Sequence, residues 1–377
     1  MHPIVEKLVA LIEKNGWQKD FELAIKNAQA HDVPAIKHIQ TLDDYLRYIN
    51  DLVAWTPREI GDSNNIYNKI VEFYFFLDQD PVKGLQSPIE PGRKPEKLTP
   101  LSEWIVEYAS AWGSYLDTLE SAQAVESFRT DPQFNWPEYM PPPSGYKTFN
   151  QFFARHVKPG MRPIAGLCDD RILVAPADST FVGWWQISQN DKIYVVEPPI
   201  NVKGIQWSIH QLLDGSVYAD RFKGGIFTHS FLNTFDYHRW HAPVRGTILE
   251  AQVIQGQAYL QVTVAPALDN GKRINVLNAP DNTGYQFVQT RGLVVIDSPI
   301  GLVACLPMGM AQVSSVVITA EVGQTLHKGE ELGYFQFGGS DFVMVFERRS
   351  NVQLISQPKV HVNQGTWIGN AFPYGLE

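Results

Sequence analysis

The feature that most constrains the fold of this chain is a cluster of four prolines within residues 136–145. The cluster consists of Pro137, Pro141, Pro142 and Pro143. Proline lacks a backbone N–H and has a fixed φ, so neither a helix nor a central strand runs through such a segment. With 377 residues, the chain is long enough for two apolar cores. We therefore predict an N-terminal domain over 1–135, a proline-rich linker over 136–145 and a second domain over 146–377.

Apolar residues recur at helical spacing ahead of the linker. A stripe that begins at Ile4 and includes Ile12 ends before Gly16, a residue suited to a helix C-terminus. Thr41 and Asp44 have capping-box spacing at the start of a second stripe. Further helices are predicted over residues 65–77 and 100–116. The broad aromatic face of the last one is interpreted as core, because such faces ordinarily pack between layers.

Beyond residue 146 the pattern changes to short β-branched runs that are broken by glycine and proline. Such runs occupy residues 246–265, 292–303 and 342–346. Only residues 148–157 and 208–213 are predicted to be helical here. The fold class predicted from the sequence is therefore α+β, with a helical N-terminal domain followed by a mostly β domain.

Charge and cysteine content exclude several classes of protein. The net charge of −9 argues against binding to nucleic acid or anionic lipid. The two cysteines, Cys168 and Cys305, are too few for a disulfide framework, and both are expected to be buried structural thiols. No apolar run approaches the roughly 18 residues of a transmembrane helix, and the N-terminus does not resemble a signal peptide. A cytoplasmic location is expected.

The first motif with chemical potential is Gly338-Gly339-Ser340-Asp341, which precedes an apolar strand. Glycines allow positive φ angles in any tight turn, so taken alone this motif indicates an ordinary hairpin. A second motif, His238 and His241, has a spacing that lets both imidazoles act at one site as acid and base. Taken alone, that pair is more typical of structural or solvent-facing histidines. No metal is expected, because a third ligand is missing from the stretch.

The third motif is Asp178 at the end of an apolar run. A carboxylate in this position either forms a local turn or orients a histidine. The residue pattern alone favours the turn.

In this order, the motifs resemble the phosphatidylserine decarboxylase family. The matching stretches are Thr148-Phe-Asn-Gln-Phe-Phe-Ala-Arg155 with Arg162-Pro163, Ala177-Asp178, Asp236-Tyr-His-Arg-x-His241-x-Pro243, and Gly338-Gly-Ser340. The resemblance covers about residues 146–350, and its most specific part is the Asp-Tyr-His-Arg-x-His string. The helical residues ahead of it are similar to the N-terminal domain of the soluble, tryptophan-decarboxylase-like branch.

The resemblance implies a proenzyme that cuts itself between Gly339 and Ser340 and converts Ser340 into a pyruvoyl cofactor. It also implies that His241 and Asp178 assist Ser340, and that His238 donates a proton to the substrate carbon. The products, fragments 1–339 and 340–377, are expected to stay associated. The oligomeric state is left open.

Two departures from the family pattern stand out. Asp341 occupies a position where the family usually has a hydroxyl residue, and its charge opposes a nearby developing oxyanion unless it is turned away or protonated. Asn233-Thr-Phe235 stands where the family commonly has Ser-Pro. These differences bear on maturation and on the shape of the substrate wall, respectively.

Three functional hypotheses follow. The favoured substrate is a free, aromatic amino acid such as tryptophan, and phosphatidylserine is the alternative. An unprocessed homologue that only binds a small ligand is the third hypothesis. Residues 323–333 also resemble the turn of biotinyl and lipoyl carriers, but Lys328 lacks the flanking residues that present a modified lysine.

Overall fold

The computed structural model of the chain describes residues 1–59, 65–90, 97–195, 205–279, 287–309, 316–337 and 340–375. Gly338 and Gly339, which precede the predicted cleavage point, lie outside the described residues. Helices dominate the first part of the chain and antiparallel strands the second, which confirms the α+β class. The domain boundaries at 135 and 146 stay a prediction.

Local sequence signals account for most of the helix ends. The α-helices are α1 (Pro3–Asn15), α2 (Gln18–Ala30), α3 (Leu42–Leu52), α4 (Asn65–Leu77), α5 (Pro100–Tyr115), α6 (Phe149–Phe153) and α7 (Ile209–Leu212). Gly16 ends α1 at a φ of 71°, and Thr41 and Asp44 form the predicted capping box of α3. Within the described ranges, no helix is both long and apolar enough to cross a bilayer.

Two helical predictions need correction. Helix α2 was not predicted, although it buries Phe21, Ala24 and Ile25. The helix predicted over residues 148–157 is confined to α6, because Ala154 already has a non-helical ψ of 35° and Val157 forms a β-bridge with Tyr139.

The strands are mostly short. They are β1 (Ile172–Val174), β2 (Ser179–Gln186), β3 (Lys192–Val195), β4 (Ile205–Ser208), β5 (Ile226–Leu232), β6 (Arg239–His241), β7 (Gly246–Ile254), β8 (Thr263–Asp269), β9 (Lys272–Asn278), β10 (Arg291–Ser298), β11 (Gly301–Gly309), β12 (Val316–Ile318), β13 (Thr325–Leu326), β14 (Glu331–Phe335), β15 (Ser340–Phe346), β16 (Val352–Leu354), β17 (His361–Val362) and β18 (Trp367–Ala371).

An eight-stranded antiparallel sheet forms the centre of the β-rich part, with the order β13-β7-β10-β11-β15-β5-β2-β17. Strand β15 is therefore an interior strand, hydrogen-bonded to β11 on one side and to β5 on the other. Phe342 and Met344 point to one face of this sheet, and Val343 and Val345 point to the other. A small sheet of order β12-β14-β6 packs on the Phe342 face, where Trp240 contacts Phe342.

The helical part packs directly against the β-rich part. Asn275 of β9 donates a hydrogen bond to the His31 carbonyl at 2.8 Å, and the Ala279 amide donates to the Tyr67 hydroxyl at 2.8 Å. One continuous apolar core includes residues from α1–α5 and from the eight-stranded sheet. The proline-rich segment also takes part in the packing, because the Trp136 ring stacks on Phe152 of α6.

Candidate active site

Ser340 is the first residue of β15 and is fully buried. The antiparallel register sets it opposite Leu232 of β5 and Gly309 of β11. Because side chains alternate along a strand, Ser340 points to the same face as Phe342, whose ring centroid is 6.1 Å from that of Trp240. The Ser340 Oγ has no hydrogen-bond partner among the described residues. The predicted nucleophile thus lies on the face that β6 covers.

His238 lies just before β6 and is also fully buried. Its imidazole stacks on the Phe153 ring, with the ring centroids 3.9 Å apart. Neither ring nitrogen has a hydrogen-bond partner within the part of the chain that the structure describes. Burial, aided by the nearby Arg155 guanidinium, holds the pKa of His238 well below its ordinary value of 6.5. His238 is therefore neutral at neutral pH.

His241, in contrast, has a partner at each ring nitrogen. Nδ1 lies 2.9 Å from the carbonyl oxygen of Gly329, and Nε2 lies 3.0 Å from the hydroxyl of Tyr237. Since a carbonyl only accepts hydrogen bonds, Nδ1 carries the proton in the neutral ring and Nε2 accepts from Tyr237. Burial lowers the pKa of His241, so the ring has a lone pair at Nε2 at neutral pH.

Asp178 lies between β1 and β2, where it binds a buried arginine. Arg162 Nε donates to both carboxylate oxygens at 2.8 and 3.1 Å, and the Gln364 amide donates at 2.8 Å. Arg162 also pairs with Glu138 at 2.9 Å. Among the described hydrogen bonds, none joins Asp178 to His241. The negative charge of the Asp178 carboxylate nevertheless offsets part of the lowering of the His241 pKa that burial causes. The predicted Ser-His-Asp roles stay a prediction.

Arg155 was part of a recognised motif, but the sequence assigned it no role. Its side chain is buried, and its Nη2 donates to the backbone carbonyls of Phe235 and Asp236 at 2.6 and 3.2 Å. The guanidinium carbon lies 4.0 Å from the centroid of the Tyr139 ring, whereas Nε and Nη1 have no partner in the described ranges. Arg155 thus fixes the turn that carries His238 and sets the electrostatic potential there.

The segment that leads to the predicted cleavage point is held by the helical part. The Phe337 amide donates to Asn150 Oδ1 at 3.3 Å. The Phe337 ring lies 5.1 Å from Trp112 of α5 and 5.7 Å from Phe153 of α6, measured between centroids. Helices α5 and α6 therefore fix the chain two residues before Gly339.

The two cysteines differ in their exposure to solvent. Cys305 is buried as expected, but Cys168 is exposed, because it lies in a surface turn close to Lys328. The expectation of two buried thiols was wrong for Cys168. The described residues contain no cluster of three or more histidine, cysteine or acidic side chains that could hold a metal ion.

A buried serine lies on the sheet face that β6 covers, and one neutral histidine lies just before β6 and another at its end, so a hydroxyl and candidate bases meet in this region of the fold. The family model for phosphatidylserine decarboxylase matches residues 149–370, which is more than half of the chain. The chain therefore belongs to the phosphatidylserine decarboxylase family, which confirms the resemblance drawn from its motifs.

Individual relatives have moderate similarity. The chain is 35% identical over 240 residues to phosphatidylserine decarboxylase proenzyme 2 of rice. The matched region covers 63% of this chain but only 35% of the rice protein. It is 29% identical to the phosphatidylserine decarboxylase proenzyme of Fusobacterium nucleatum, over 72% of this chain and 82% of that protein. It is also 26% identical to the L-tryptophan decarboxylase of Psilocybe cyanescens, over 57% of this chain and 50% of that protein.

Proposed function

We propose that this chain is a proenzyme that cleaves itself between Gly339 and Ser340 and then decarboxylates an amino-bearing carboxylic acid. The observation that carries the proposal is the buried Ser340 hydroxyl, which lacks a partner in the described part of the chain and faces the strand of His241. Membership of the family supports a pyruvoyl cofactor made from Ser340. The word proenzyme in the names of the rice and Fusobacterium relatives supports processing.

In the proposed first step, His241 acts as the base. Its Nε2, which accepts from the Tyr237 hydroxyl in the structure, exchanges that hydrogen bond for the Ser340 hydroxyl and takes the proton, and the Oγ attacks the carbonyl carbon of Gly339. The bond between that carbon and the Ser340 nitrogen breaks, and the proton passes to this nitrogen, which leaves an ester. Asp178 supports the step through its negative charge, which favours the imidazolium form of His241.

The ester is then eliminated. Removal of the Ser340 α-proton breaks the bond between Cβ and Oγ, and Gly339 departs as a carboxylate. Water replaces the nitrogen of the remaining dehydroalanine, and ammonia is released. The result is a pyruvoyl group at position 340.

For decarboxylation, the pyruvoyl group supplies a carbonyl that holds the substrate amine and accepts electrons as carbon dioxide leaves. We assign to His238 the delivery of a proton to the substrate carbon. Neither ring nitrogen makes a side-chain hydrogen bond within the described residues, so one nitrogen of the neutral ring can donate a proton and the other can accept one. Phe153 holds the imidazole plane by stacking, and burial keeps water from competing for the reaction.

The fragments 1–339 and 340–377 are proposed to remain one particle. The smaller fragment contains β15, which pairs with β11 and β5 along both edges. It also contains β18, which pairs with β1 of the larger fragment. Loss of one peptide bond at the end of β15 leaves these ladders intact, so gel filtration of the cleaved protein should yield both fragments in one peak.

A free aromatic amino acid is the proposed substrate. The similarity to a protein named L-tryptophan decarboxylase supports this choice. Phosphatidylserine is a second candidate, because the rice and Fusobacterium relatives are named for it. Release of carbon dioxide from tryptophan, tyrosine, phenylalanine and phosphatidylserine vesicles separates the two candidates.

Processing is tested before the substrate. Purified protein should give two chains on a denaturing gel, with a cut before Ser340. A single uncut chain that binds small ligands without releasing carbon dioxide would support the unprocessed homologue instead. A carrier role is disfavoured, because Lys328 is buried and its Nζ donates to the carbonyls of Gly166 and Asp169 at 2.8 Å each.

A further inference from the structure

A histidine outside the sequence motifs contacts one of the motif carboxylates. His361 belongs to β17, the edge strand of the eight-stranded sheet, where it pairs with Thr180 of β2. Its Nε2 lies 3.0 Å from Oδ1 of Asp236. The Asp236 side chain is 6% exposed, whereas that of His361 is 40% exposed. Since an ionised carboxylate only accepts hydrogen bonds, a half-exposed imidazole donates here to a buried carboxylate.

Asp236 shapes the loop between β5 and β6, which carries His238. Its Oδ2 accepts a hydrogen bond from the Asn233 amide at 2.7 Å, and its own amide donates to the Asn233 carbonyl at 3.1 Å. The negative end of the Asp236 carbonyl also acts on the His238 ring, where it offsets part of the lowering of the His238 pKa that burial and Arg155 cause. Asp236 therefore fixes the backbone two residues before His238 and contributes to the electrostatic potential at its ring.

His361 supplies the only side-chain hydrogen bond that the Asp236 carboxylate receives within the described ranges. Burial disfavours a charged carboxylate and raises the pKa of Asp236, whereas the bond from His361 acts in the opposite direction. The same bond raises the pKa of His361. Loss of this donor would leave a buried carboxylate oxygen without a partner, which would weaken the loop that the carboxylate closes.

The segment that contains His361 also holds Asp178. Three residues further on, the backbone amide of Gln364 donates to Asp178 Oδ1 at 2.8 Å. Both contacts come from the proposed fragment 340–377, whereas Asp178 and Asp236 belong to the proposed fragment 1–339. The smaller fragment therefore contributes, besides residue 340, the groups that hold two motif carboxylates in place.

We propose that His361 is a positioning residue for decarboxylation, which holds Asp236 and, through it, the loop that presents His238 to the substrate carbon. This inference rests on the proposed function, in which His238 delivers the proton. His361 has no contact with the reacting atoms in this account. Because His241 is the proposed base for self-cleavage, His361 should affect turnover of the cleaved enzyme much more than the cleavage itself.

The experiment compares two amide substitutions that differ in reach. The Nε2 of glutamine comes close to the position of the imidazole Nε2, whereas asparagine is shorter and does not reach Asp236. In cleaved protein, His361→Asn should lower kcat at least about tenfold and leave KM within about threefold of the wild type. His361→Gln should keep kcat within about threefold of the wild type, because it restores the donor.

Turnover is measured as release of carbon dioxide from whichever of tryptophan, tyrosine, phenylalanine and phosphatidylserine vesicles the wild type uses best. The rate at which fragments appear is followed separately, and both His361 variants should cleave within about threefold of the wild type. His210→Asn is the matched control, because His210 is also half-exposed and lies 2.8 Å from Asp191 and 3.1 Å from Asp220. It should change neither rate.

The two variants separate positioning from a general effect on the fold. Equal losses of kcat in His361→Asn and His361→Gln would overturn the proposal, as would a cleaved His361→Asn variant with wild-type kcat. A parallel loss of cleavage and turnover in His361→Asn, or its failure to fold, would overturn it too, because His361 would then support the structure as a whole. A wild-type chain that neither cleaves nor releases carbon dioxide would contradict the proposed function, and this inference with it.

Discussion

The two faces of the eight-stranded sheet hold buried polar groups in different surroundings. On the near face, the Ser340 hydroxyl and both His238 ring nitrogens have no hydrogen-bond partner among the described residues. On the far face, one residue along the same strand, Asp341 lies 3.2 Å from His229. An unpartnered buried polar group costs about 1–3 kcal/mol of stability, so a protein retains several together only where they have another use. We therefore expect the near face, which carries the proposed nucleophile, to be the face on which substitutions change chemistry most.

The largest expected effect is the loss of cleavage in Ser340→Ala, because no other hydroxyl then stands at the predicted scissile bond. Denaturing gels should show only the full-length chain. Ser350→Ala is a sharp control, since Ser350 is also fully buried and its Oγ also has no partner among the described residues. Normal cleavage in Ser350→Ala would show that position on the near face matters, rather than the missing hydrogen bond. Cleavage in Ser340→Ala would contradict the role of Ser340 as the nucleophile on the near face.

His241→Gln should slow the appearance of fragments by about 100-fold or more, because the proposed base for the Ser340 proton is removed. His327→Gln changes an exposed histidine two residues from Gly329, whose carbonyl binds His241, and should leave the rate unchanged. The rate is followed by gel densitometry after synthesis in a cell-free system. Equal rates in both variants would remove His241 from the mechanism.

Arg162→Gln should destabilise the protein by about 3–5 kcal/mol, because it leaves the buried Asp178 carboxylate without its cation. Arg245→Gln removes a similar arginine–aspartate pair on the surface and should cost less than about 1 kcal/mol. Both variants are made in the Ser340→Ala background, so that cleavage does not complicate chemical denaturation. Equal losses would contradict the assignment of Asp178 and Arg162 as a buried structural pair.

The smallest expected effect concerns pH. His238 is held neutral in the fold, with a pKa well below 6.5, whereas in the unfolded chain it becomes charged as the pH falls through about 6.5. The folded protein therefore becomes less stable as the pH falls, because the unfolded chain binds a proton at His238 that the folded protein does not bind. When the pH is lowered from about 7.5 to about 5.5, this one residue should reduce the free energy of unfolding by about 1 kcal/mol. His238→Phe in the Ser340→Ala background should show a correspondingly smaller loss on acidification. An unchanged loss would mean that His238 is protonated in the folded protein.

Sequence motifs singled out Ser340 on the near face, whereas on the far face they singled out Asp341 but not its neighbour His229. The order of the motifs associated Ser340 with His238 and His241, and the strand register sets Ser340 on the face that their strand covers. His229 carried no signal, because its partner lies more than a hundred residues away and the two meet only through the pairing of β5 with β15. A local sequence pattern does not specify the register between strands that are distant in the chain.

The role of Asp178 illustrates a second limit. Its position after an apolar run was compatible with a turn and with a histidine partner. In the structure, Arg162, which lies 16 residues earlier in the chain, donates hydrogen bonds to both oxygens of the Asp178 carboxylate. Arg162 stood in a quoted motif, yet sequence spacing does not state which of several nearby groups a carboxylate selects. The same holds for Arg155, whose influence on the pKa of His238 depends on burial beneath Tyr139.

The most direct test of the central claim is the mass of the fragment that begins at residue 340. We predict a fragment of residues 340–377 that is lighter by one ammonia than the same peptide with an ordinary serine at its start. We also predict that hydride reduction in the presence of a substrate amine attaches that amine to the fragment. A full-length chain with an intact Gly339–Ser340 bond, or a cut fragment that starts with unmodified serine, would contradict the account.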